Sequence, residues 1–133
     1  MEPEILITQV FSSNLGDLSI IDESTILPFP MKRIFYIYNI PLGGKRGNHA
    51  HKRCKQLIFC LSGKIEVFNI SALGNKSNFI LDTPEKGLYI PEKTWSYQIN
   101  LAQKSIYCVI ASDFYDENDY IRDFKNFKEY IRK

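Results

Sequence analysis

The sequence has 133 residues, with 17 Lys and Arg against 15 Asp and Glu and a formal charge of +2 at pH 7. That near balance excludes the broad basic field with which a protein tracks nucleic acid, so any anion site must be local. A chain of this length is read as a single domain, residues 1–133, that buries roughly two-thirds of the surface its unfolded form exposes and so needs no staples.

Short β-rich runs follow one another: ILITQVF (5–11), DLSII (17–21), RIFYIYNI (33–40), KQLIFCLSG (55–63), KIEVFNI (64–70), NFIL (78–81), GLYIP (87–91), WSYQINL (95–101) and SIYCVIAS (105–112). Their Ile, Val, Phe and Tyr content, with turn residues between them, predicts an all-β sandwich or barrel. In KIEVFNI, Ile65 and Val67 suit the inner face, while Lys64, Glu66 and Asn69 suit solvent. The tail DENDYIRDFKNFKEYIRK differs: Tyr120, Ile121, Phe124, Phe127 and Ile131 recur at near-helical spacing behind an acidic start, which predicts helical turns packed on the sheet.

Cys54, Cys60 and Cys108 are odd in number and form no CxxC pair, so they are read as buried, reduced thiols. The N-terminus MEPEILITQVFSS lacks a basic segment ahead of a long apolar one, and no apolar run approaches the ~18 residues of a membrane span. A cytoplasmic protein without membrane contact is expected.

The segment RGNHAHKRCKQLIFCLSG carries the only two histidines, His49 and His51. On an extended strand they would share a face with Cα atoms ~6.6 Å apart. Groups titrating near pH ~6.5 suit proton transfer at neutral pH; the plain alternative is a pair that only hydrogen-bonds inside a barrel. The spacing of Gly43, His49, His51, Gln56 and Gly63 resembles the first cupin motif, with Gln56 at the usual glutamate. GLYIPEKTWS (87–96) is similar to the second, with Ser96 where the third metal histidine stands. The resemblance implies a cupin-type double-stranded β-helix, a jelly roll. Two imidazoles, an amide and a hydroxyl are a poor donor set for a divalent ion, so neither a metal nor any other cofactor is expected; Asp or Glu from another strand is the remaining route to one.

A closer resemblance runs through KRIFYIYNI, KRGNHAHK, QLIFCLSGK, GLYIPEKTW and IASDFYDENDYIRDFKNF. In this order the blocks resemble the dTDP-4-keto-6-deoxyglucose 3,4-ketoisomerases, WxcM-like cupins of bacterial deoxysugar pathways. The resemblance implies a homodimer and a dTDP-linked 4-keto-6-deoxyhexose as substrate. It implies His51 as base at carbon and His49 as its partner, in an order that could be reversed, and Tyr36 as a tyrosine that contacts the sugar or relays a proton; Tyr36 could equally be a core aromatic. Arg46, beside Gly47, and then Arg33 are the candidates for the diphosphate, because guanidinium forks phosphate oxygens; a solvated arginine is the alternative. Gln56 is a candidate to hydrogen-bond a sugar hydroxyl or the histidine pair, and Ser96 is a candidate substrate-binding residue. Trp95 is assigned to stacking on the base or shielding the pocket, with core packing the alternative. Tyr115 and Arg122 are expected at dimer or lid contacts. Leu15 and Ser96 stand where the family's product stereochemistry is set, and the galacto product is the expectation. Competing readings are a nucleotide-sugar 3,5-epimerase and a non-catalytic nucleotide-sugar-binding cupin; a metal-dependent oxygenase comes last.

Overall fold

The computed structural model describes residues 1–133. The strands are β1 (Glu4–Ile7), β2 (Gln9–Ser13), β3 (Gly16–Ile20), β4 (Arg33–Ile37), β5 (Lys45–His51), β6 (Gln56–Ser62), β7 (Ile65–Ile70), β8 (Lys76–Leu81), β9 (Lys86–Ile90), β10 (Trp95–Asn100), β11 (Ile106–Ala111) and β12 (Tyr120–Ile121). A 3-10 turn at Glu117–Asp119 precedes β12, and helix α1 (Phe124–Ile131) follows it. No helix is long and apolar enough to cross a membrane.

Two five-stranded antiparallel sheets, β1-β9-β6-β11-β4 and β12-β5-β10-β7-β8, make the jelly roll, and β2 and β3 form a separate two-stranded ribbon. Ile58, Cys60 and Val109 of the first sheet meet Ile65, Val67 and Leu81 of the second in the main core. The outer face of the first sheet is covered too, where Leu57, Phe59 and Cys108 pack under Leu27 and Phe29 of the β3–β4 connection. β6 is therefore buried on both faces, which is why LIFC is a continuous apolar run and not an alternating one. Gly87 makes room for this layer: a Cβ there would come within 2.5 Å of the Phe59 ring. On the outer face of the second sheet α1 sets Phe127 against Trp95, Ala50 and Ile121.

Several elements differ from the sequence expectation. The run 5–11 is two strands, because the backbone of buried Thr8 turns to donate to Glu85 O (2.9 Å) before the chain leaves for the β2–β3 ribbon. β4 stops at Ile37, and Asn39 adopts φ 56°. The histidine segment, outside the β-rich runs, is strand β5. Asn69, expected in solvent, is 2% exposed, being in phase with Ile65 and Val67 and accepting a hydrogen bond from Ser96 Oγ (3.0 Å). The acidic start of the tail caps it: Asp116 caps the 3-10 turn, and Asp123 accepts from Asn126 N (3.0 Å) at the start of α1.

Candidate active site

His49 and His51 share the inner face of β5, with ring centroids 5.1 Å apart and ring planes at 79°. Strict alternation would then turn Arg46 outward. Opposite β10, however, His49 pairs with Ser96 and Gly47 with Tyr97, so Asn48 is an extra residue in the ladder. Such a bulge re-phases the strand. Arg46 becomes the partner of inward-facing Gln98 and lines the same cavity as His49, while Lys45 turns out over the Tyr97 ring at 4.1 Å. Gly47 and Asn48 take up the distortion at φ 95° and 61°. A Cβ on Gly47 would meet Ser96 O and Tyr97 Cα at 3.0 Å.

His51 and Asp119 form a buried pair, 5% and 3% exposed, with Nδ1 3.1 Å from Oδ2. The carboxylate also accepts from the N–H groups of Arg53 (2.8 Å) and Cys54 (3.2 Å). Its place follows from β12, whose Tyr120 and Ile121 pair with His51 and Ala50. Tyr120 closes the site, its ring 4.3 Å from His51 and 5.0 Å from His49. Tyr115 meets Tyr120 edge-on at 5.6 Å, and the Arg122 guanidinium lies 4.3 Å from the Tyr120 ring while forking Glu117 at 2.7 and 2.9 Å. The Tyr115 and Arg122 side chains thus pack on Tyr120, whose ring lies against both histidines.

Burial, the adjacent His51 and the Arg122 charge push His49 down to about 4, against the pull of Glu117. Burial also lowers His51, opposed by Asp119 and reinforced by Arg33 and Arg122. Both imidazoles are therefore neutral at pH 7 and able to accept a proton. His49 Nδ1, His51 Nε2 and Arg33 Nε are buried without a protein partner, an expensive state for polar atoms that a bound polar ligand would relieve.

The cavity beside His49 has a volume of about 120 Å³ and is walled by Phe35, Ile37, Arg46, Gln56, Gln98 and Tyr107, among others. Across it Tyr107 O–H donates to Gln98 Oε1 (3.4 Å), Gln98 Nε2 to Ser96 Oγ (3.4 Å) and Ser96 O–H to Asn69 Oδ1 (3.0 Å). Burial pushes the Tyr107 phenol up to about 12 despite the Arg46 charge beside it. Arg33 is half-buried and stacks on Phe35 (5.1 Å) and Tyr115 (5.8 Å). Of the sequence candidates, His49, Arg46 and Gln56 line the cavity, and His51, Ser96 and Arg33 lie beside it.

Two candidates point elsewhere. Tyr36 is 65% exposed and stacks on Tyr38 at 5.8 Å on the outer face of β4, because Arg33, Phe35 and Ile37 have the inward parity. Trp95 lies on the outer face of β10, buried against Phe124 (5.3 Å) and Phe127 (5.8 Å), which is the core-packing alternative. Sequence reasoning missed Asp119, Tyr120, Gln98 and Tyr107; the DENDY string held the first two, but nothing local tied it to the histidines. His51, Cys54 and Asp119 offer donor atoms within 4.8 Å of one another. Both Asp119 oxygens are engaged by N–H groups and Cys54 S–H is turned to Lys55 O (3.6 Å), so this cluster is organised by hydrogen bonds to the carboxylate.

Comparison with known proteins follows the same lines. The family model described as FdtA: WxcM-like, C-terminal matches residues 1–132. The TDP-4-oxo-6-deoxy-alpha-D-glucose-3,4-oxoisomerase of Aneurinibacillus thermoaerophilus is 38% identical over 134 residues, spanning 100% of this chain and 95% of that protein. The crystal structure of a 3,4-ketoisomerase from Helicobacter canadensis superposes with a TM-score of 0.94 at 34% identity, covering 100% of this chain and 99% of that one. QdtA, a sugar 3,4-ketoisomerase of Thermoanaerobacterium thermosaccharolyticum crystallised with TDP, superposes with a TM-score of 0.92 at 27% identity, covering 98% and 95%.

Proposed function

The chain belongs to the FdtA/WxcM-like family of sugar 3,4-ketoisomerases, and from that premise we propose that it converts a TDP-linked 4-keto-6-deoxyglucose into the 3-keto isomer by proton transfer at His49 and His51. The observation that carries this reading is the pair of neutral, adjacent imidazoles, each with a buried ring nitrogen free of protein partners.

The chemistry needs what these residues supply. A base takes the C3 proton; the C3–H electron pair becomes the C3=C4 bond while O4 gains a proton, giving an enediol. C4 then receives a proton, O3 gives one up, and the ketone stands at C3. Atoms and charge balance with no oxidant or reductant, and each acid–base group contributes about 10²- to 10⁴-fold. Donors near the developing oxygens lower the barrier further, and Arg33, Gln56 and Ser96 are assigned to that task and to the sugar hydroxyls. A cavity of about 120 Å³ is small beside ordinary ligand pockets of roughly 300–1,000 Å³, so only part of the hexose enters and the nucleotide extends along the rim, where exposed Arg46 takes the diphosphate. The galacto configuration remains the expectation for the product.

The protein is further read as a cytoplasmic homodimer. Three free, buried thiols support a reducing compartment. Apolar side chains left bare on the β2–β3 ribbon, Phe11, Leu15 and Leu18, support self-association.

Incubation with TDP-4-keto-6-deoxyglucose in deuterium oxide, followed by proton and carbon NMR, tests the reading. Deuterium at C4 of a 3-keto product is expected, and a small H4–H5 coupling in ordinary water would identify the galacto isomer. A ketone that stays at C4 while C3 or C5 exchanges would make the protein an epimerase. Substrate returned unchanged and unlabelled would make it a binding protein.

A further inference from the structure

Tyr107 is 2% exposed and belongs to the main core between the sheets, where a phenylalanine would fill the same space. Its hydroxyl is the part that needs a reason, and it stands at the cavity wall with Arg46 and Gln98. We propose that Tyr107 is a positioning residue: it locks the Gln98 side-chain amide with the oxygen towards the phenol and the NH₂ group towards Ser96, which makes Gln98 a hydrogen-bond donor to an oxygen of the bound hexose. The hexose rests on the isomerase reading; the locked amide does not.

The lock starts from a charge. A guanidinium has five N–H donors and no acceptor, and that of Arg46 lies beside the phenol oxygen. The lone pairs of Tyr107 turn to the cation and its proton turns away, onto Gln98 Oε1 at 3.4 Å. An amide that accepts on one side donates on the other, and Gln98 Nε2 is 3.4 Å from Ser96 Oγ. Ser96 passes its own proton to Asn69 Oδ1 at 3.0 Å. Donors thus point one way, from Arg46 through Tyr107, Gln98 and Ser96 to Asn69. To reverse the file, both amides would flip and Tyr107 O–H would face the guanidinium, a proton set against a cation where little water screens them. The bulged strand leaves room for this arrangement: Gln98 Oε1 lies so close to Gly47 that a Cβ there would be 3.3 Å away.

Gln98 reaches the ligand. It lines the cavity with His49; it is the cross-strand partner of Arg46, and Ser96, to which it donates, is the partner of His49. One N–H of Nε2 goes to Ser96, and the other hydrogen-bonds nothing in the protein. A hexose, whose ketone, ring and hydroxyl oxygens all accept, is the acceptor that the proposed function brings to this wall. TDP without a sugar would leave that N–H unused.

Neutron crystallography of the wild-type protein in deuterium oxide tests the lock. A deuteron between the Tyr107 oxygen and Gln98 Oε1, with the ND₂ group of Gln98 towards Ser96, is expected; the opposite amide orientation overturns the proposal with no substitution needed. Tyr107→Phe and Gln98→Leu test the consequence, each read by calorimetry with TDP and with TDP-glucose, alongside kcat and KM. Each should weaken TDP-glucose by about 2- to 10-fold, the size of one net hydrogen bond, leave TDP unchanged, and raise KM more than it lowers kcat. The double variant should bind no worse than Gln98→Leu alone, because Tyr107 acts through Gln98. Equal losses for TDP and TDP-glucose, or additive losses in the double variant, would make Tyr107 a support for Arg46 or a packing residue and overturn the proposal. If the deuterium experiment finds no isomerisation, the isomerase reading fails on its own, while the deuteron positions and the calorimetry still decide what Tyr107 does.

Discussion

At the scale of single residues, the proposed function makes His51 a residue of chemistry and hardly of binding. His51→Asn should cut kcat by about 10²- to 10⁴-fold while calorimetry finds TDP affinity close to that of the parent, because the proposed function puts the ring at the hexose. Arg46→Ala should do the reverse, raising KM with a smaller change in kcat. His49 carries a stability signature. Its folded value of about 4 lies below the 6.5 of a free imidazole, so between these values the unfolded chain binds the proton and the folded one does not. Stability from this group is intact above pH 6.5 and declines as pH falls towards about 4, by about 3 kcal/mol in all. Urea titrations should show that decline, and His49→Gln should remove its share of it, with His51, Arg122 and Glu117 still facing the site. Arg46 was legible beside the histidines through its neighbour Gly47, but the reason it faces inward is the bulge. Tyr36 was misplaced by a parity that could have been read: on a regular strand, residues 33 and 36 cannot share a face. Trp95 follows the same parity, opposite Ser96.

Among elements, the bulged β5 is held by its neighbours and not by its own propensity. KRGNHAH has no β-branched residue, and so it escaped a reading built on Ile, Val and Tyr. Gly47→Ala should strain the left-handed backbone and press on Ser96 O and Tyr97 Cα; lower Tm together with raised KM is the expected result, as Arg46 loses its orientation. The apolar runs of β6, β7, β10 and β11 were readable because periodicity and turn residues agree there. The tail was only half readable. Its apolar spacing marked α1, whereas the two-residue β12 is too short to leave a pattern and exists because β5 offers it an edge. Phe127, wholly buried beneath α1, anchors this segment, and Phe127→Ala should cost about 3–5 kcal/mol in chemical denaturation.

For the whole molecule, the layers run from the β3–β4 connection through two sheets to α1, and each layer buries a face that the next supplies. The β2–β3 ribbon alone lies outside this scheme. Phe11 and Leu18 face each other across it, 51% and 57% exposed, and an isolated two-stranded ribbon is marginal in water. Sedimentation should find a dimer, and the double substitution Phe11→Asp with Leu18→Asp should shift it towards monomer; a wild-type monomer at working concentration would remove the second copy. A dimer of this kind would be a property of packing between surfaces, which no local pattern encodes. The irregularity at Asn48 has an evolutionary consequence. β5 carries one codon more than its pleat requires, so a lineage could shed that codon and keep Arg46 turned the same way. Losing Ala50, between the imidazoles, would turn one of them to the opposite side, so strand parity would absorb a change of length at one place and not two codons on.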